Sequence, residues 1–102
     1  MRKLGRKWAF TASMVADAPE HAGLYALWRD DRLVFLGRAD GGSDTIRARL
    51  AAHLERALRD HERPGERERA PTHYSWEITT EPRLREAQAM AELGLGLGMQ
   101  AA

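Results

Sequence analysis

Residues 23–37, GLYALWRDDRLVFLG, contain two short apolar runs on either side of a pair of aspartates. The first run is Gly23–Arg29 and the second is Arg32–Gly37, and Asp30-Asp31 between them has the composition of a tight turn. The stretch therefore predicts a β-hairpin. Both runs are apolar on both faces, which favours a sheet that helices cover on at least one side.

A loop and a helix are predicted to follow the hairpin. Residues 39–45, ADGGSDT, are turn formers, and Ser43 or Asp44 is placed to cap a helix that begins at about Thr45 and ends at about Arg59. The apolar residues of this helix recur at helical spacing and form one stripe: Ile46, Leu50, Leu54, Ala57 and Leu58. Residues 61–71 are predicted to be a solvated loop, since Pro64-Gly65 breaks a helix there.

The rest of the chain predicts a third strand and a last helix. Residues 72–78, THYSWEI, alternate aromatic and polar residues, which is typical of a strand. Thr80 is predicted to cap a helix with Pro82 in its first turn, ending at about Leu93. The expected fold class is α/β (α+β), a small three-stranded, mostly antiparallel sheet flanked by helices.

The 102 residues suffice for one domain with a modest core. We expect residues 1–17 to be a basic N-terminal segment with a short helix at about Thr11–Ala16, which Ala18-Pro19 ends. Residues 18–93 are expected to form the folded domain, and residues 94–102 a flexible glycine-rich tail.

Composition excludes several function classes. The chain has no cysteine, so it has no disulfides, thiolate metal sites or cysteine nucleophiles. No apolar run approaches the roughly 18 residues of a membrane span, so no membrane partner is expected. The apolar stretch near the N-terminus is short and broken by Thr11 and Ser13, which argues against a signal peptide and favours a cytoplasmic protein.

The charge of the chain is nearly balanced, with a net charge of +1, so no global basic field indicates nucleic acid. Fourteen of the sixteen basic residues are nevertheless arginine, whose planar guanidinium suits phosphate and carboxylate. Codon bias explains such a count equally well, so the positions of the arginines have to decide.

Arg49 and His53 lie four residues apart on the predicted helix and so share one side of it, beside the apolar stripe. A guanidinium and an imidazole one turn apart can both reach a single anionic group. Two solvated positions on an arginine-rich helix have the same spacing, so the spacing leaves both interpretations open.

On the last helix a carboxylate falls on a predicted buried stripe. Two lines of residues are predicted to face the core: Leu84, Ala87 and Ala91, and Glu86, Met90 and Leu93. The predicted polar side carries Glu81, Arg85, Gln88 and Glu92. Because an unpaired buried charge is costly, Glu86 needs a metal ion or a cationic partner. The candidate partners are Arg83, Arg85 and Arg49.

Tyr25 and Phe35 lie at near-equivalent points of the hairpin, each close to a glycine, where aromatic residues usually serve core packing. Together with the other elements, their order resembles the pattern of a known family. Gly23-Leu24-Tyr25 and the later Phe35-Leu36-Gly37 resemble the paired tripeptides of the GIY-YIG nuclease superfamily.

Three more elements extend this resemblance, which covers about Ala18 to Leu93. Gly37-Arg38-Ala39 looks like the G-K/R-A that follows the second tripeptide in many members. TIRARLAAH, residues 45–53, looks like the family helix that carries an invariant Arg and often a His or Tyr one turn later. Glu86 in RLREAQAM, residues 83–90, is similar to the single metal-binding Glu on the family's later helix.

The resemblance implies hydrolysis of phosphodiester bonds in DNA with one divalent ion, Mg²⁺ or Mn²⁺. The implied catalytic residues are Tyr25, Arg49, His53 and Glu86, with Glu86 as the metal ligand. Arg49 would bind the scissile phosphate, His53 would orient water or contact phosphate, and Tyr25 would act as general base or position the water. A phenol with an ordinary pKa of about 10 is a poor base at pH 7. The expected substrate-binding residues are Arg38, Arg47 and Arg49.

Two departures from the family pattern bear on activity. Phe35 stands where the second tripeptide normally has Tyr, so one hydroxyl of the usual site is missing. The late Asn that often follows a proline in the family has no counterpart here. No appended DNA-recognition domain is visible either, so sequence specificity would come from the domain's own loops, from a second copy or from a partner subunit.

Two alternatives to a nuclease remain open at this point. The first is a catalytically weakened or inactive nucleic-acid-binding module of the same fold, which would need no metal ion. The second is a protein-interaction domain, for which the glycine-rich tail and three tryptophans would form the partner surface.

Overall fold

The structure is a computed structural model that describes residues 5–60 and 70–94. Its elements follow in this order: β1 (Trp8–Ala9), α1 (Ala12–Val15), β2 (Gly23–Arg29), β3 (Arg32–Ala39), α2 (Ile46–Asp60), β4 (His73–Ile78) and α3 (Pro82–Glu92). Residues 1–4 of the predicted basic segment, most of the predicted 61–71 loop and residues 95–102 of the predicted tail lie outside the described residues. Among the helices that are described, none is long and apolar enough to cross a membrane.

The predicted fold class is confirmed, as an antiparallel sheet in the order β1-β4-β2-β3 with flanking helices. The sheet has one strand more than the three expected. Trp8 and Ala9 fall within the predicted basic segment, and they form a two-residue strand opposite Tyr74 and His73 of β4. A strand this short has no periodicity in sequence that could reveal it.

The hairpin of β2 and β3 forms as predicted, with β3 extending two residues further, to Ala39. The ladder continues that far because Ala39 pairs with Gly23 at the start of β2. Asp30 in the turn has a positive φ of 54°, a conformation that aspartate tolerates better than most residues. A register shift beside Leu27 leaves one extra residue in β3.

Two hydrophobic clusters lie on the two faces of the sheet, since alternate residues of β2 belong to different clusters. On one face α2 packs, through this buried set: Tyr25, Leu27, Ile46, Leu50 and Tyr74. On the other face α3 packs, through this set: Leu24, Ala26, Trp28, Leu36 and Ala89. The prediction of a helix-covered sheet is therefore confirmed on both faces.

The N-terminal part of α2 differs from the prediction in its cap. Neither Ser43 nor Asp44 caps the helix; the hydroxyl of Thr45 accepts the Ala48 N–H at 3.1 Å. The Asp44 carboxylate is used elsewhere, by an arginine and a backbone N–H. Leu58, at the far end of the predicted stripe, is 64% exposed.

In α3 the predicted cap and half of the predicted core face are wrong. Glu81 precedes the helix without a side-chain cap, and Pro82 begins it. The buried residues are Arg85, Glu86 and Ala89, whereas Leu84 is 53% exposed. The helix is rotated relative to the prediction: Arg85, expected on the polar side, is buried and pairs with the carboxylates of Glu77 and Glu92.

Candidate functional site

The site begins with Tyr25, which is buried in the middle of β2 and opposite Gly37 of β3. A Cβ at position 37 would lie 2.7 Å from both Cζ and Oη of Tyr25. The Tyr25 ring therefore lies directly over the Gly37 backbone and needs a glycine there. Since β3 is an outer strand of the described sheet, the ring carries the Tyr25 hydroxyl to the edge of the sheet.

At this edge the Tyr25 hydroxyl meets His53 of α2, with 3.0 Å between Oη and Nε2. Phe35 completes an aromatic group with them. Its ring stacks on Tyr25 with centroids 5.9 Å apart, and it lies 4.6 Å from the His53 ring. The site residues Tyr25 and His53 are thus brought together, with an apolar ring against both.

Burial sets the protonation of this pair. It raises the pKa of the Tyr25 hydroxyl to about 12, against the opposing effect of the Arg49 charge. It also lowers the pKa of the His53 imidazole below its ordinary value, and the charges of Arg56 and Arg49 lower that pKa further. Both groups are therefore neutral near pH 7, and one hydrogen bond joins a neutral phenol to a neutral imidazole.

Arg49 lies one turn before His53 on α2 and is held by Asp44. Its Nε donates to Oδ1 at 2.6 Å and its Nη2 donates to Oδ2 at 3.0 Å, a bidentate pair. These hydrogen bonds lower the pKa of the Asp44 carboxyl. Asp44 thus fixes the orientation of the Arg49 fork beside Tyr25.

Glu86 of α3 is 9% exposed, as expected for an acid on a buried stripe, and it has a cationic partner. None of the three arginines expected for that role provides it. Arg38 of β3 donates from Nη1 to Glu86 Oε1 at 2.6 Å and from Nε to Asp40 Oδ1 at 3.0 Å. The hydrogen bond to Glu86 is the main reason that the pKa of Arg38 is raised.

Arg85 cannot serve as the partner of Glu86 because other carboxylates hold it. It donates to both carboxylate oxygens of Glu77, at 2.5 and 3.2 Å, and to Glu92 at 3.4 Å. Adjacent positions on α3 thus belong to two separate ion pairs.

The two sides of the site are connected around the edge of β3. The Asp40 backbone N–H donates to Asp44 Oδ2 at 3.1 Å, which links the Arg38–Glu86 pair to the Arg49–Asp44 pair. The charges of Arg49, Asp44 and Glu86 all act on the Tyr25 hydroxyl. All four residues predicted for catalysis, together with Arg38, therefore surround one stretch of the sheet edge.

Arg47 lies apart from this group, although it was expected to bind substrate. Its Nε donates to the Ala18 carbonyl at 2.7 Å, and its Nη1 lies 3.0 Å from Glu20 Oε1. It connects α2 to the segment that precedes β2.

Sequence reasoning missed three participants. Asp40 and Asp44 were assigned to a turn and a cap, although an acid just before a helix that carries arginines also suggests an ion pair. Arg56, three residues after His53, was not among the predicted site residues. Its charge acts on both Tyr25 and His53.

The chemistry of Glu86 fits a single divalent cation. Within residues 5–60 and 70–94, no group of three or more His, Cys, Asp or Glu side chains could hold a metal ion. Mg²⁺ does not need such a group, since it keeps several waters and is often bound through one or two carboxylates. Glu86 offers one carboxylate at the sheet edge, and it already holds a cationic group at 2.6 Å.

Comparison with known proteins adds no further constraint on this arrangement. No protein-family model, curated protein or solved structure matches the chain.

Proposed function

We propose that this protein is a metal-dependent endonuclease domain of GIY-YIG type that hydrolyses phosphodiester bonds in DNA. The observation that supports it best is the hydrogen bond between the Tyr25 hydroxyl and His53 Nε2, at 3.0 Å. The charges of Arg49 and Glu86 both act on that hydroxyl. A hydroxyl, an imidazole, two arginines and a carboxylate at one sheet edge are the groups that phosphodiester hydrolysis needs.

The two arginines would bind the scissile phosphate. Attack by water places additional negative charge on the phosphoryl oxygens, and a guanidinium fork donates two parallel hydrogen bonds to such oxygens. Asp44 orients Arg49 by holding Nε and one N–H of Nη2, so the donors that would reach the phosphate are those of Nη1 and the second N–H of Nη2. Arg38 approaches from the other side of the same edge strand.

His53 would accept the proton that the attacking water loses and later pass it on to the leaving oxygen. The Tyr25 hydroxyl has a pKa of about 12, so it does not ionise ahead of the reaction near pH 7. When the Tyr25 hydroxyl contacts both the attacking water and His53, it can take a proton from the water while it gives its own proton to His53 Nε2. The neutral phenol then acts as a relay, and the imidazolium stores the proton until it reaches the leaving oxygen.

Glu86 would hold the divalent ion, which when bound neutralises phosphate charge and lowers the pKa of a coordinated water. For the chain itself, the requirement is that the Glu86 carboxylate stays at the sheet edge. Its place on the buried face of α3, against the sheet, provides that rigidity.

A second candidate is favoured by the ion pairs of the site. Arg49 and Glu86 each already have a partner of opposite charge, and Phe35 supplies no second hydroxyl beside Tyr25. A module that binds DNA without cleaving it would keep the arginines and would not use Glu86 for a metal ion. Its DNA binding would weaken steeply with salt and would be independent of Mg²⁺.

The test is cleavage of supercoiled and branched DNA with Mg²⁺ or Mn²⁺ by the wild type, Glu86→Gln, Tyr25→Phe and Glu81→Gln. Glu81 precedes the same helix and is exposed, so its variant is the matched control for the loss of one carboxylate. We expect cleavage by the wild type and the control and at least a hundredfold loss in the other two. Binding without cleavage by all four proteins would establish the second candidate instead.

A further inference from the structure

A chain of hydrogen bonds joins the two arginines of the proposed site. Arg38 bridges Glu86 and Asp40, the Asp40 N–H donates to Asp44, and Asp44 accepts two bonds from Arg49. The network contains three carboxylates and two guanidiniums, so when all are ionised it has an excess of one negative charge.

That excess has the wrong sign for a nucleic acid. Each phosphodiester is an anion, and both guanidiniums already face carboxylates. One divalent cation bound within the network would reverse its net charge and make it attractive to a phosphate. The cation and the substrate are therefore expected to bind in that order.

We propose that Arg38 is a latch on Glu86 that a divalent cation releases. The cation takes the Glu86 carboxylate, and the displaced Arg38 guanidinium becomes free to bind a phosphate of the nucleic acid. This inference rests on the proposed function, since it takes Glu86 as the ligand of the cation.

The positions of the two side chains suit these roles. The Glu86 side chain is 11% exposed and fixed on the packed face of α3, whereas the Arg38 side chain is 29% exposed on an outer strand. The second ion-pair partner of Arg38 is Asp40, whose side chain is 47% exposed. An ion pair that is so exposed to water is weak. Arg38 is thus the member of the pair that can move.

Competition for one carboxylate makes the latch measurable without any cleavage. A charge-assisted hydrogen bond at 2.6 Å is among the stronger polar contacts, and the cation has to break it. Removing the Arg38 side chain should therefore increase the affinity for a divalent cation, by about tenfold.

The experiment is titration with Mn²⁺ in the absence of nucleic acid, followed by the electron paramagnetic resonance signal of the free ion. The proteins are the wild type, Arg38→Gln, Arg38→Lys, Glu86→Gln and the control Arg83→Gln. Arg83 is exposed on α3 three residues before Glu86, so its variant removes an equal charge near Glu86 without removing the latch. Arg38→Lys keeps the charge but loses the guanidinium fork that bridges both carboxylates.

We expect binding in the wild type that Glu86→Gln abolishes, about tenfold tighter binding in Arg38→Gln, a smaller gain in Arg38→Lys and less than a twofold change in Arg83→Gln. Equal affinities in Arg38→Gln and Arg83→Gln, with binding still dependent on Glu86, would overturn the latch and leave the proposed function standing. Mn²⁺ binding that is absent, or unaffected by Glu86→Gln, would overturn both. Arg38→Lys provides the same comparison if Arg38→Gln does not fold.

Discussion

The substitution Gly37→Ala tests the packing on which the site depends. Judged by local propensity alone it should stabilise the protein, because glycine within a strand is less favourable than alanine by about 0.5–1 kcal/mol. The structure predicts the opposite, since the new methyl group would lie 2.7 Å from Tyr25 and 2.9 Å from the Phe35 ring. Real Cβ atoms do not approach this closely, so the Tyr25 ring must shift.

The magnitude follows from how little room the ring has. Tyr25 is 1% exposed and lies in the main cluster of the α2 face, so its displacement strains neighbouring core residues. Overpacking of this kind costs typically about 1–3 kcal/mol. After subtraction of the gain in propensity, the midpoints of the two ranges give a fall in the free energy of unfolding of about 1.25 kcal/mol. For a domain of this size that corresponds to a decrease in Tm of roughly 5–10 °C.

The measurement is thermal and urea unfolding of the wild type, Gly37→Ala and the control Gly42→Ala. Gly42 has a φ of +68° with open space around it, so alanine there costs about 1 kcal/mol through the backbone alone and does not touch Tyr25. An NMR titration of His53 separates the two variants, because only Gly37→Ala should change its pKa. A Gly37→Ala protein that is as stable as the wild type, with an unchanged His53 pKa, would refute the close contact between the ring and the Gly37 backbone.

Three other predictions concern the same fold. Burial lowers the pKa of His53 in the folded chain, so below about pH 6.5 the unfolded chain binds a proton that the folded chain does not bind. The wild type should therefore lose stability on acidification more steeply than His53→Gln, as measured by urea unfolding at a series of pH values. Arg85→Ala removes a buried guanidinium held by two carboxylates and should lower the free energy of unfolding by about 3 kcal/mol. The control Arg83→Ala, at an exposed position, should lower it by less than about 0.5 kcal/mol. Equal losses in the two variants would contradict the pairing of Arg85. Thr45→Ala should cost about 1 kcal/mol by removing the cap of α2, and Ser43→Ala should cost almost nothing, as measured by thermal unfolding.

The elements that were predictable have strong local signals. The bounds of β2 agree with the prediction because an unbroken apolar run ends at a turn-forming pair, Asp30-Asp31. Helix α2 was predictable from the spacing of Ile46 and Leu50, which are both buried. By contrast, β1 is created by pairing with β4, and two residues hold no pattern of their own.

The orientation of α3 was not predictable because the buried face of the helix carries ion pairs as well as apolar contacts. Apolar residues occur on more than one side of the helix, so periodicity allowed a face that includes Leu84. The structure buries Arg85 instead, since Glu77 on the neighbouring strand and Glu92 on the same helix satisfy its guanidinium. A partner on another element is a property of the fold, which sequence spacing within one helix cannot reveal. The same reason explains why Arg38 was not foreseen as the partner of Glu86.

The glycines of the two tripeptides have packing reasons that are independent of any chemistry. A Cβ at Gly23 would lie 2.8 Å from Ile46 Cδ1 and would collide with the backbone of β4, and a Cβ at Gly37 would collide with Tyr25. The glycine pattern alone therefore indicates only close packing of a hairpin.

The polar atoms at the sheet edge are different, because a phenylalanine at position 25 and an apolar residue at position 53 would fill the same space. Burial raises the pKa of the Tyr25 hydroxyl to about 12, and its partner is the half-buried His53 imidazole at 3.0 Å. Replacing both partners of such a hydrogen bond with apolar groups of the same shape can be neutral or even stabilising. The apolar pair would also need no charges around it. The phenol and imidazole lie beside an oriented arginine and a carboxylate that the fold brings from the opposite face of the sheet. The proposed hydrolysis of phosphodiester bonds would account for this combination of groups at the sheet edge.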